Sequence, residues 1–318
     1  MDVYSLPMTT RFRGITEREG LLLSGPAGWG EFCPFTEYDD REAVAWLAAA
    51  REAAHDGWPA PVRDRVPVNC TVPAVRPEHA QRIVRESGCG TAKVKVADPG
   101  APLSEDLERV AAVRDALGPA GLVRVDANAA WDVDTAVAAV RALDRAAGGL
   151  EYVEQPCWAV EDLAAVRRAV DVPVAADESI RRAEDPMRVV RAGAADVVVL
   201  KVSPLGGVRR ALRIAAETGL PVVVSSAVES SVGLAAGLAL AGALPALHHA
   251  CGLGTASLLA DDVTDAPLRP VGGYLPVPRS APDPVRRGAV AAPPGRAAWW
   301  RERHDRVAAL LDAPARPR

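Results

Sequence analysis

Three lysines, Lys93, Lys95 and Lys201, stand against 34 arginines in this 318-residue chain. A guanidinium stays protonated in a protein, whereas an ammonium can be driven to release its proton and act as a base. A chain that uses arginine almost everywhere is expected to have kept lysine where arginine cannot substitute. Lys93 and Lys95 lie two apart in the alternating run Thr91–Ala97, which reads as a strand carrying both on one face. Asp126, Glu154, Asp177 and Lys201 then follow Lys95 at spacings of 31, 28, 23 and 24 residues. Each is about one strand–helix unit, and in a parallel barrel the C-terminal strand ends converge on one mouth. Three ionised carboxylates facing one cavity repel each other unless a cation intervenes. Three hard oxygen ligands that leave positions open suit Mg2+, with Mn2+ as a substitute. The lysines on either side would sit in that cation's field, which favours their neutral form.

Short β-branched runs recur at Val68–Val75, Ala92–Ala97, Leu122–Asp126, Glu151–Glu154, Val172–Asp177, Asp196–Val202, Pro221–Ser226 and Ala246–Cys251. Amphipathic alanine- and arginine-rich stretches such as Ser104–Leu117, Asp134–Ala146 and Val208–Thr218 separate them. That beat predicts a parallel barrel. An open doubly wound sheet would call for a Gly-x-Gly-x-x-Gly after the first strand, and none is there. The flanks differ. Residues 1–67 carry extended runs at Thr9–Ile15 and Gly20–Ser24 and a helix near Arg41–Ala54, and 265–318 begin proline-rich and end in a helix at Ala297–Leu311. Neither flank closes a core alone, so the two are expected to form one cap, with Trp299 and Trp300 inside it, over a barrel at 68–264.

Composition narrows the function. A net charge of −4 gives no reason to expect nucleic acid or an anionic membrane as partner. Cys33, Cys70, Cys89, Cys157 and Cys251 are odd in number and form no Cys-x-x-Cys pair, which predicts reduced thiols and a cytoplasmic protein. The N-terminus lacks the basic and apolar regions of a signal peptide. The apolar stretch Val232–Leu247 is short for a membrane span and reads as a buried helix.

The motifs around these residues resemble the enolase superfamily. They are Lys93-Val94-Lys95, Val125-Asp126-Ala127-Asn128, Tyr152-Val153-Glu154-Gln155-Pro156, Ala176-Asp177-Glu178-Ser179 and Leu200-Lys201 with Gly206-Gly207. Lysines on both the second and the sixth strand are similar to the branch of the muconate-lactonising enzymes, and Gly28-Trp29-Gly30-Glu31 resembles a cap segment of that branch. The resemblance implies a (β/α)7β modified TIM barrel under an α+β capping domain, with Asp126, Glu154 and Asp177 on the metal and Lys95, Lys201 and Lys93 catalytic. Within the branch the chain is similar to the o-succinylbenzoate synthase family. That likeness implies dehydration of 2-succinyl-6-hydroxy-2,4-cyclohexadiene-1-carboxylate to o-succinylbenzoate in menaquinone biosynthesis. It also implies substrate contacts by Arg124, Asn128, Ser225 and Ser226, with Arg124 near the succinyl tail.

The same lysines could instead serve an N-acylamino acid or dipeptide racemase. Dipeptide epimerases of this branch carry Asp-x-Asp on the eighth strand, whereas here His248-His249-Ala250-Cys251 occupies it and Asp261-Asp262 are adjacent, so they face apart. A Schiff-base aldolase using Lys201 would leave three carboxylates unexplained, and a non-catalytic barrel would leave all five mouth residues so. His248 and His249 are expected to be packing residues, and Gly206-Gly207 to turn the chain.

Overall fold

The computed structural model describes residues 1–181 and 185–313, so residues 314–318 of the C-terminal segment lie outside the described residues. The chain opens with β1 (Asp2–Phe12), β2 (Ile15–Gly25) and β3 (Gly28–Phe32), paired antiparallel in that order. The helix Asp40–Arg51 follows, its first turn capped by Asp39 accepting from the Glu42 amide at 2.8 Å. The helix Pro294–Leu311 returns to this layer, where Trp300 is fully buried and meets Phe32 edge-on at 6.0 Å. Trp299 is half-buried beside it. Residues just before that helix run along β1, with the Ser5 amide on Val290 O and the Ala292 amide on Val3 O. Both flanks therefore share one apolar cluster.

A short strand β4 (Arg65–Pro67) precedes the barrel. The barrel strands are β5 (Cys70–Val72), β6 (Thr91–Lys95), β7 (Leu122–Asp126), β8 (Tyr152–Glu154), β9 (Val174–Ala176), β10 (Val197–Leu200) and β11 (Val222–Val224), forming one curled parallel sheet in chain order. Runs such as Val197–Leu200 and Val222–Val224 are buried on both faces, as parallel strands under helices must be. Intervening helices are delimited by local chemistry: Asp132 caps Val133–Ala147, and Gly88, Gly148 and Gly219 end their helices in the left-handed conformation.

Two expectations need correction. The eighth strand is not the run Ala246–Cys251: the barrel is closed only by bridges of Cys251 with Val68 and of Gly252 with Ser225. Pro245 and the two histidines break the run before it can pair at length. The first barrel strand is also shorter than Val68–Val75: Cys70–Val72 pairs along β6, and Pro73, which has no amide hydrogen, follows it, while Arg65–Pro67 pairs antiparallel with β12 (Tyr274–Pro276). The apolar helix Ser231–Ala243 is buried along nearly its whole length, and among the described residues no helix is long and apolar enough to cross a membrane.

Gly206 and Gly207 turn the chain at positive φ into the helix Val208–Thr218. Glu52 fills that helix N-terminus, accepting from the Val208 and Arg209 amides. The cap meets itself most tightly at Gly30, where a Cβ would lie 1.9 Å from the Ala50 carbonyl oxygen. Gly30→Ala should therefore destabilise the protein by about 3 kcal/mol or prevent folding, because backbone cannot yield as a side chain can. A thermal melt of Gly30→Ala matching wild type would contradict the packing of β3 on that helix.

Candidate active site

Register brings the chemistry together. Lys95 is the pairing partner of Asp126, and Asp126 of Glu154, so three neighbouring strands present these side chains at one level. Asp177 follows the end of β9 and Lys201 the end of β10. Asp126, Glu154 and Asp177 are each at most 1% exposed. Lys93 Nζ bridges two of them, 3.1 Å from Asp126 Oδ2 and 2.8 Å from Glu154 Oε1. Lys95 Nζ contacts Asp126 Oδ2 and lies 2.7 Å from Asn128 Oδ1. Lys201 Nζ sits 2.5 Å from Asp177 Oδ2, and Arg181 Nε 2.9 Å from the other oxygen of that carboxylate.

The electrostatics follow from who touches whom. Burial alone would weaken proton binding at Lys93, but the Glu154 and Asp126 charges outweigh it and hold its ammonium well above the ordinary range. Lys95 moves the other way: burial, helped by the Lys93 charge, pushes it down despite Asp126. Burial opposes ionisation of Asp126, yet Lys95 and Lys93 hold that carboxyl well below its usual range. Burial and the Asp126 charge raise Glu154 to about 7, while Arg181 and Lys201 overcome burial to bring Asp177 to about 2. An amine of lowered proton affinity beside one held charged is an arrangement that suits a general base.

Loops at the strand ends are strained where they shape the mouth. Ala97, Asn128, Ala129, Gln155 and Val228 all have positive φ, and each lies just past a barrel strand. The Gln155 side chain ties neighbouring loops, accepting from the Asp177 amide at 2.9 Å and donating to Ser179 Oγ at 2.7 Å. Arg181 also donates to Tyr38 Oη at 2.9 Å, and Tyr38 accepts from Arg13 at the β1–β2 turn, linking the cap to the carboxylates. Phe12, Arg13 and Phe35 from the cap enclose, with Lys93, Lys95, Asn128, Lys201, Ser225, Ser226 and Thr255, a cavity of about 40 Å³. Arg13, Arg181 and the two phenylalanines escaped the sequence analysis. Only Arg181, four residues after Asp177 at the end of a helical turn, offered a spacing signal.

Arg124 sits deeper than the other expected site residues. It faces the barrel interior but lies two residues below Asp126, fully buried and outside the mouth cavity. Its guanidinium binds Glu151 Oε2 at 2.5 Å, Asn69 Oδ1 at 3.2 Å and the Ala250 carbonyl at 2.7 Å, and stacks over Tyr152. These contacts make it a buried cation of the lower barrel, beneath the level of the carboxylates. His249 joins the same network through Glu151 Oε1 at 2.7 Å, and His248 is exposed, so neither is a simple packing residue. Of the serines, Ser226 Oγ meets Thr255 Oγ1 at 2.5 Å and Ser225 Oγ reaches the Gly252 carbonyl at 3.4 Å.

Among the described residues no three His, Cys, Asp or Glu side chains are gathered closely enough to hold a metal ion as they stand, since lysine ammoniums occupy the carboxylate oxygens. The donor set nonetheless fits a hard divalent cation. Three buried carboxylates adjoin one another, and Glu154 Oε2 is buried with no hydrogen-bond partner at all.

Comparison with known proteins agrees with this geometry. Residues 76–282 match the family model described as enolase C-terminal domain-like, and residues 3–54 the one described as enolase N-terminal domain-like. The chain is 66% identical over 296 residues to the o-succinylbenzoate synthase of Thermobifida fusca (strain YX), covering 93% of this chain and 92% of that protein. It is 58% identical to the o-succinylbenzoate synthase of Mycolicibacterium smegmatis, covering 95% and 93%. The fold is similar to the N-succinyl Arg/Lys racemase of Bacillus cereus, with a TM-score of 0.75 at 20% identity over 92% of this chain and 98% of that one.

The lower network generates a stability prediction. Burial would raise the Glu151 carboxyl, but hydrogen bonds from His249 and Arg124 bring it to about 2, against an ordinary 4.5. Its folded form is thus depressed, so its contribution is complete above pH 4.5 and lost as pH falls toward 2. Wild type should lose melting temperature across that window more steeply than Glu151→Gln. Arg124→Met should cost about 3–5 kcal/mol by stranding Glu151. A normal melt with only KM raised would restore Arg124 to the substrate.

Proposed function

This chain belongs to the enolase superfamily, in its o-succinylbenzoate synthase family, and from that premise we propose that it dehydrates 2-succinyl-6-hydroxy-2,4-cyclohexadiene-1-carboxylate to o-succinylbenzoate. Menaquinone biosynthesis in the cytoplasm is the setting this reaction implies. The observation that carries the reading is the set of three carboxylates flanked by Lys95 and Lys201, in a chain two-thirds identical to a curated synthase over most of its length.

Lys95, lining the mouth with its proton affinity lowered, takes the proton from the carbon bearing the carboxylate at Nζ. The same Nζ then returns that proton to the hydroxyl leaving the neighbouring carbon, which departs as water. Lys93, fixed as a cation between Asp126 and Glu154, keeps Lys95 poised to release its proton. Lys201, on a strand end across the barrel, faces the negative charge that spreads over the ring. Asp126, Glu154 and Asp177 would hold Mg2+, or Mn2+ in its place, whose fixed charge stabilises negative charge developing on the substrate carboxylate. Asn128, Ser225 and Ser226 supply polar groups along the wall.

Two lysines on opposite strand ends also suit proton transfer on both faces of one carbon, the requirement of an N-acylamino acid racemase. Exchange of solvent deuterium into both enantiomers of an N-succinylamino acid would show that activity.

Lys95→Arg retains charge but cannot give up its proton, so kcat should fall by about 10²–10⁴-fold or more while folding is normal. Lys201→Arg should be milder for dehydration, and both should be comparably severe for racemisation. Near-wild-type dehydration by Lys95→Arg would overturn the assignment of the base. Chelation should silence the enzyme reversibly, and alanine at Asp126, Glu154 or Asp177 should abolish turnover. Full activity in chelator would remove the metal from the mechanism.

A further inference from the structure

Arg18, on β2 of the cap, is 2% exposed, and among the described residues its guanidinium is bonded only to backbone carbonyls. Nε reaches Val228 O at 3.1 Å, and Nη2 reaches Ala227 O at 3.2 Å and Cys33 O at 2.5 Å. Its plane lies 4.5 Å from the centre of the Phe35 ring. Burying an arginine without a contacting carboxylate is costly, so its bonds must secure something. What they secure is a turn in an unfavourable state: Val228 is β-branched and held at φ 60°.

Glu31, on the neighbouring strand β3, grips the other end of the same segment. Its carboxylate accepts from the Ser230 amide at 3.1 Å, the Gly233 amide at 2.8 Å, Ser230 Oγ and Tyr4 Oη. It therefore sits on the N-terminus of the helix Ser231–Ala243, where a negative charge is favoured. Gly233 leaves it room, since a Cβ there would lie 2.9 Å from Glu31 Oε2. The positive residue takes the carbonyls of 227 and 228, and the negative one takes the amides of 230 and 233. Ser225, Ser226 and Val228, which this segment carries, line the mouth together with Phe35.

We propose that Arg18 and Glu31 are positioning residues, an oppositely charged clamp by which the cap sets the wall Ser225–Val228 and with it the fit of the substrate's non-reacting end. The proposal rests on the substrate reading given above. Neither residue touches the lysines or carboxylates of the mouth, so the clamp acts on binding more than on proton transfer.

The test uses full-length Arg18→Met and Glu31→Gln, with Arg18→Lys as the milder variant should the methionine protein not fold. Amide hydrogen exchange should quicken at residues 226–234 in each, while strands β6–β10 keep their protection. KM should rise about tenfold with kcat changed less than about threefold, and in a further full-length variant, Arg18→Ala, added guanidinium should lower the raised KM again. A lowered melting temperature with wild-type KM and wild-type exchange at 226–234 would make both residues merely structural and overturn the clamp. Should wild type fail to turn over the cyclohexadiene substrate, the functional reading falls, and exchange at 226–234 alone decides the clamp.

Discussion

Three carboxylates buried on neighbouring parallel strands cannot coexist without cations, and the rest of the site answers that constraint. Strands about 4.8 Å apart place the side chains of registered residues next to each other. Unit charges at about 4 Å repel by about 4 kcal/mol even with substantial screening. Lys93 shared between Asp126 and Glu154, and Lys201 with Arg181 on Asp177, provide the compensation in this structure. One oxygen escapes it, Glu154 Oε2, and Glu154 is the carboxyl whose proton affinity is raised. The imbalance marks where an added cation would be most welcome.

The barrel interior is built in layers, and two residues along a strand separate chemistry from architecture. Asp126 and Arg124 point the same way, yet the first meets lysines at the mouth while the second meets Glu151, Asn69 and Ala250 below it. A buried guanidinium with a carboxylate and a carbonyl is a stable floor for the site. A period of two tells which face a side chain occupies but not how deep it lies.

That limit explains how far the sequence could be read. The strand–helix beat, the carboxylates and the lysines were legible because each rests on local spacing. The strand Gly28–Phe32 was not, since glycine and tryptophan at its start give no alternation and its pairing depends on β2. Nor was the eighth strand, which survives as two bridges, or the pairing of Arg65–Pro67 with Tyr274–Pro276, partners some two hundred residues apart. Arg18 was silent for the same reason. Its partners Ala227 and Val228 are backbone atoms on another domain, and no residue type announces a carbonyl.

Lys93 and Lys95 show why lysine persists in a chain otherwise built with arginine. They stand two apart on one strand, share a neighbour in Asp126, and are shifted in opposite directions. Burial lowers both, but at Lys93 the charges of Glu154 and Asp126 outweigh it, whereas at Lys95, which contacts one carboxylate and a neutral amide from Asn128, burial and the Lys93 charge prevail. A compact ammonium can be tuned either way by so small a change, whereas a guanidinium would stay charged in both places. Lys93 is thus held as a fixed charge beside a neighbour of lowered proton affinity. Lysine at both positions gives one strand two ammoniums whose proton affinities are shifted in opposite directions.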